Sequence, residues 1–83
     1  MKLNKAILNI LTKRYKPLAV TQLKFRNYDL AVKTDDEGNA ILLFLGKLNE
    51  QGIIKGERYA RTLKKDREGN IIKDHWELKG KAS

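Results

Sequence analysis

The hydrophobic period of this chain changes at Gly52. Before it, apolar residues recur every three or four positions; after it they alternate, which asks for helices first and strands second. Tyr59, Arg61 and Leu63 alternate with Ala60, Thr62 and Lys64, and Ile72, Asp74, Trp76 and Leu78 alternate with Ile71, Lys73, His75 and Glu77. The spacing predicts a hairpin across 55–78, turned at Lys-Asp-Arg-Glu-Gly-Asn, with Gly69 supplying the positive φ of the loop. On its apolar side Tyr59 and Trp76 are packing anchors, and Arg61 and Asp74 are placed to form an ion pair across the hairpin.

In the first half, Leu3, Ala6, Ile7, Ile10 and Leu11 share a helical face, which predicts a helix over 4–15. Asn4 is its cap, Leu3 and Leu8 are its staple, and Pro17 stops it. Thr21 caps a second, shorter helix near 21–28, with Leu23 and either Phe25 or Tyr28 facing the core. Thr34-x-x-Glu37 matches a capping box, Asp35, Asp36 and Glu37 suit a first helical turn, and Gly52 suits a helix stop. With Ile41, Phe44, Leu45 and Leu48 on one face, these signals predict a third helix over 35–51.

A competing reading exists for that segment. Asp-Asp-Glu-Gly-Asn at 35–39 returns as Asp-Arg-Glu-Gly-Asn at 66–70, and a glycine-containing loop between β-like runs also signals a hairpin, here pairing 28–34 with 40–45. The flanking residues barely agree, so the repeat reads as two similar cap or turn solutions rather than a duplication.

Three helices followed by a charged hairpin define an α+β domain over 1–79, with 80–83 a flexible basic tail. The order, together with Leu45, Leu48, Gly52, Ile53 and Ile54 at the turn from third helix to hairpin, resembles the winged helix-turn-helix superfamily. That resemblance implies a third helix in the major groove of DNA and a hairpin wing on the backbone.

The charge is distributed unevenly. Residues 1–33 carry 8 basic and 1 acidic side chains (net +7), residues 34–51 carry 1 and 4 (net −3), and residues 52–83 carry 9 and 5 (net +4). On the third helix the outer face would hold Asp36, Asn39, Leu43, Lys47 and Glu50, so only Asn39 and Lys47 suit groove contacts, while Leu43 with Ala40 suits a protein partner. Phosphate contacts are expected from Lys24 and Arg26 on the second helix and from Arg58, Lys64, Lys65, Arg67 and Lys73 on the wing. Lys13, Arg14 and Lys16 complement the end of the first helix.

The formal net charge of +8 favours a polyanionic partner. No cysteine is present, His75 is the single histidine, and no glycine-rich phosphate cradle occurs, so neither a metal centre, a cofactor nor a catalytic constellation is expected. No run of about 18 apolar residues and no secretory segment is evident, which makes the cytoplasm the expected location. The expectation is therefore a small protein that binds double-stranded DNA, a transcriptional regulator or accessory factor, as a homodimer if it reads sequence. The alternative is a protein-interaction or dimerisation module on the same fold. No membrane or small-molecule partner is expected.

Overall fold

Asn4 starts the one helix. In the computed structural model, which describes residues 3–81, its Oδ1 accepts a hydrogen bond from the Ile7 N–H at 2.8 Å, and α1 runs Lys5–Leu11. Leu3 and Leu8, the expected staple, line the same hollow. The helix stops at Thr12, short of the expected residue 15, so Lys13, Arg14 and Lys16 lie beyond its last turn. Its C-terminal end is held by other groups: the Tyr15 hydroxyl donates to the Ile10 carbonyl at 2.7 Å, and Arg61 reaches the Leu11 carbonyl.

Five strands follow: β1 (Val20–Phe25), β2 (Tyr28–Thr34), β3 (Ala40–Leu48), β4 (Ile54–Lys65) and β5 (Ile71–Lys81). They form one antiparallel sheet in the order β1-β2-β3-β4-β5. This overturns the winged helix-turn-helix resemblance and the α+β assignment: the chain is mostly β, and the helices expected at 21–28 and 35–51 are β1 and β3 with their turns. The pairing of 28–34 with 40–45 is the one that forms, with Leu30 opposite Leu45 and Val32 opposite Leu43. The helical face read in residues 40–45 is a coincidence of composition. All six are apolar, so any period fits, and this part of β3 is apolar on both faces because it lies in the central strand, where neighbouring strands shield its side chains. The C-terminal hairpin keeps its expected place; Gly80 and Lys81 extend β5, and residues 82–83 lie outside the described residues.

The signals read as helix caps are turn signals. Asp35 Oδ1 accepts the N–H groups of Glu37 and Asn39, both at 2.9 Å, and Asp66 Oδ1 accepts those of Glu68 and Asn70 at the same distance. Asn49 repeats the arrangement with Gln51 and Ile53, at 2.9 and 3.0 Å. Each turn closes with a glycine at positive φ: Gly38 at 84°, Gly52 at 79° and Gly69 at 87°. Thus Asx-x-x-Gly-x builds three of the four hairpins, by the same side-chain acceptance of backbone N–H groups that caps a helix. Thr34 is unavailable as a cap. It is buried, its hydroxyl donates to the Lys16 carbonyl at 2.6 Å and accepts from the Ala19 N–H at 3.1 Å, tying the 16–19 segment to β2.

The helix covers one face of the sheet. Ile7 and Leu11 pack with Leu30, Val32, Leu43, Leu45 and Tyr59, flanked by half-buried Leu23, Phe25, Tyr28 and Trp76. The other face carries Val20, Gln22 and Lys24 of β1, Asp29, Ala31 and Lys33 of β2, Leu42 and Phe44 of β3, and Arg58, Ala60, Thr62 and Lys64 of β4. On that face Gly46 and Gly56 are opposite each other at a close approach. A Cβ on Gly46 would lie 1.9 Å from the Lys55 carbonyl oxygen, and one on Gly56 2.1 Å from that of Leu45. The β3–β4 turn bends over the sheet there, so that Ile53 and Ile54 border a hollow with Val20, Ala31 and Phe44.

Gly46→Ala is therefore expected to lower unfolding free energy by at least about 1–3 kcal/mol, because the obstruction is backbone that cannot swing aside. Thr34→Val is expected to cost about 1–3 kcal/mol by leaving the Lys16 carbonyl and Ala19 N–H unpaired. Urea unfolding of the two variants against the parent checks both.

Candidate nucleic-acid interface

The open face gathers positive charge from four strands. Lys24 of β1 and Lys33 of β2 fall on it by alternation with the half-buried Leu23 and the buried Val32. Arg58 and Lys64 of β4 share it, as does Lys73 of β5, because each alternates with the helix-facing Tyr59, Leu63 and Asp74. Lys64 and Lys73 are direct cross-strand neighbours, and Arg58 stands opposite Phe44. Among the described residues no carboxylate lies within 4.0 Å of Lys33, Arg58, Lys64 or Lys73, while Lys24 is 3.8 Å from Asp29. Like charges placed directly opposite destabilise a hairpin, so the Lys64–Lys73 pair is a cost that the fold itself does not require.

The remaining residues named from sequence are elsewhere. Asn39 is buried, its amide donating to Asp35 Oδ2 at 3.3 Å, and serves the turn. Leu43 and Ala40, expected on an outward helical surface, are wholly buried in the core because 40–48 is a strand whose Leu43 faces the helix. Lys47 lies on the helix side of the sheet, opposite Lys55, with its Nζ 5.9 Å from the Tyr28 ring centre. Lys65 is ion-paired with Glu37. Arg26 occupies the tight β1–β2 turn at φ 56°, its guanidinium 5.2 Å from the Phe25 ring. Arg67 is exposed in the last turn. The structure thus places Lys24, Arg58, Lys64 and Lys73 on one face, with only Lys64 and Lys73 direct cross-strand neighbours, and the others elsewhere. Lys33 is the member that the sequence reading misses, although its alternation with Leu30 and Val32 is a usable signal.

Arg61 and Asp74 pair on the opposite, helix-covered side. The guanidinium meets the carboxylate through Nε and Nη2, both at 2.7 Å, and its Nη1 points to the carbonyls of Leu11 and Ala40 at 3.4 and 3.3 Å. The Arg61 side chain is 7% exposed and its carbon Cζ lies 5.7 Å from the Trp76 ring centre. One cation thereby joins helix, central strand and outer hairpin. The hydrogen bonds from Arg61 hold the Asp74 carboxyl below its ordinary value, against partial burial that would raise it. Asp66 is lowered by the backbone N–H of Asn70 and those of Glu68 and Gly69; at Asp35 burial pushes upward but the N–H groups of Asn39 and Glu37 outweigh it.

No group of three or more His, Asp or Glu residues able to hold a metal occurs among the described residues, and no helix there is long and apolar enough to cross a membrane. Comparison of the chain with known protein families, with curated proteins and with solved structures gives no match.

Carboxyl groups lowered by folding contribute stability above their unfolded values, and that contribution is lost as pH falls through the folded ones. Three such groups lie at Asp35, Asp66 and Asp74, so the melting temperature is expected to hold from pH 7 to about 5 and to fall below the ordinary aspartate value of 3.8. Calorimetry across that range checks it. Arg61→Met, which leaves two backbone carbonyls without their donor, is expected to lose about 2–3 kcal/mol and to reduce the acid sensitivity.

Proposed function

We propose that this chain is a small DNA-binding protein, an accessory factor of the cytoplasm, that lays the open face of its sheet against the backbone of a duplex. The observation that carries this reading is the set of four cations on one sheet face, Lys33, Arg58, Lys64 and Lys73, with no carboxylate partner among the described residues, two of them held side by side at Lys64 and Lys73. A like-charge pair retained at a cost is accounted for by an anion that bridges it. Phosphates spaced along a backbone supply such anions, and the strand spacing of about 4.8 Å brings adjacent cations within reach of neighbouring phosphates. Among the described residues the face presents two aromatic rings, the half-buried Phe44 and the His75 imidazole on the edge strand, too few and too far apart to stack successive unpaired bases, so the backbone of a duplex is the better fit. Few groups on the face can read base edges, which makes the binding largely indifferent to sequence.

The test is fluorescence anisotropy of a labelled mixed-sequence duplex at about 50 and about 200 mM salt. Contacts from Lys33, Arg58, Lys64 and Lys73 predict a slope of about −3.6 in log K against log salt, a loss of about 150-fold between the two conditions. Lys64→Glu separates binding from folding. It is expected to weaken DNA binding at least about tenfold at low salt while stabilising the hairpin by about 0.2–1 kcal/mol, because the introduced carboxylate would face Lys73 with opposite charge. Absence of binding at the lower salt would remove the nucleic-acid reading and leave a protein-interaction module.

A further inference from the structure

The outer edge of β5 is the longest unpaired backbone in the sheet. β5 is the last strand in the order, eleven residues long, and among the described residues nothing pairs with the edge facing away from β4. Such an edge is a template for another strand unless its side chains forbid it. The charges of β5 forbid most partners and fit one.

Consider antiparallel self-pairing of β5 around a two-fold axis through His75. Lys73 then stands opposite Glu77 of the second copy, and Glu77 opposite its Lys73, on the open face; Ile72 stands opposite Leu78, twice, on the helix face. Ile72 is 66% exposed and Leu78 50% exposed, so both have apolar surface to bury. Neighbouring registers are poorer. An axis through Asp74 puts that carboxylate opposite itself, and one through Lys73 does the same to the ammonium; an axis through Trp76 puts Lys73 opposite Lys79, and one through Glu77 puts Lys73 opposite Lys81. Slips by half a step would turn the apolar set to the wrong face. The hollow of about 540 Å³ lined by Leu3, Leu8, Tyr59, Trp76 and Leu78 includes the residue that Ile72 of the second copy would stand opposite, Leu78.

We propose that two copies of this chain associate through β5, in the register centred on His75, to form a continuous ten-stranded sheet. The other edge strand, β1, offers six residues and a single charge, Lys24, so no register of it is selected by charge. The axis is perpendicular to the sheet, so both helices lie on one side and both basic faces on the other. This inference does not depend on DNA binding, since its readout is mass in the absence of nucleic acid.

Sedimentation equilibrium of the full chain at about 10–100 μM tests it, across the range where weak edge pairing is populated. The expected parent mass approaches twice 9.6 kDa. Lys73→Glu or Glu77→Lys alone places like charges opposite each other twice per dimer, and each is expected to weaken association at least about tenfold. The double reversal Lys73→Glu with Glu77→Lys restores the complement and is expected to recover the dimer, which also shows that the single variants fail by charge rather than by misfolding. A parent that stays at 9.6 kDa throughout the range overturns the proposal. So does a dimer that survives both single reversals unchanged, or a double reversal that stays monomeric while circular dichroism shows the parent's sheet.

Discussion

Packing of Ile7 and Leu11 against Leu30, Val32 and Leu43 decides which side of the sheet becomes interior, and most other features follow from that choice. A helix of seven residues is about 10 Å long and can cover only part of one face of a sheet. The covered side therefore receives the aromatic residues Phe25, Tyr28, Tyr59 and Trp76, which widen the apolar layer beyond the helix, and the buried Arg61, which seals its end. The uncovered side has no such partner. It keeps Ala31, Leu42 and Phe44 near the middle, a bent turn over one end, and cations around them. Charge on that side is a consequence of antiparallel alternation, and cations outnumber the carboxylates Asp29 and Glu77 there.

Legibility from the sequence differs sharply between the two halves. The C-terminal hairpin is readable because its strands are half-exposed, so the period of two is written in alternating polar residues, and even the Arg61–Asp74 pair follows from phase alone. β3 is unreadable by the same logic, since a central strand shielded on both faces loses its alternation. Helix and hairpin also share their punctuation. Asp35 would cap a helix or close a turn through the same oxygen, and Gly52 would end a helix or complete a hairpin through the same positive φ. What separates them is recurrence: Asp35, Asn49 and Asp66 each stand three residues before a glycine, and the same Asx-x-x-Gly pattern returning between apolar or alternating runs is better read as three hairpin turns.

The candidate site inherits that difference. Arg58, Lys64 and Lys73 fall on one face in sequence and structure alike because they belong to the readable hairpin. Asn39, Ala40, Leu43 and Lys47 belong in the sequence reading to a helical surface that does not exist, and each has a structural explanation where it stands: a turn, the core twice, and an aromatic contact. Lys24 keeps a place beside the cluster only because β1 returns it to the same face through its pairing with β2.

Lys73 connects the proposed DNA surface with the proposed dimer. On its own strand pair it faces Lys64; across the edge it would face Glu77 of the second copy. A carboxylate there offsets the repulsion between the two lysines, so association stabilises an arrangement that is unfavourable in the single copy. The same carboxylate competes with phosphate for Lys73, and the balance depends on numbers. A single copy offers Lys33, Arg58, Lys64 and Lys73; a pair gives up both Lys73 residues to Glu77 yet still presents Lys33, Arg58 and Lys64 from each copy on one continuous face. Since binding strength follows the number of phosphates neutralised, with about 0.9 released counterion each, the pair is the stronger ligand even after that loss. Pairing at the edge and retention of a basic face are therefore compatible, because the edge uses Lys73 and Glu77 of β5 while the face keeps Lys33 of β2 and Arg58 and Lys64 of β4.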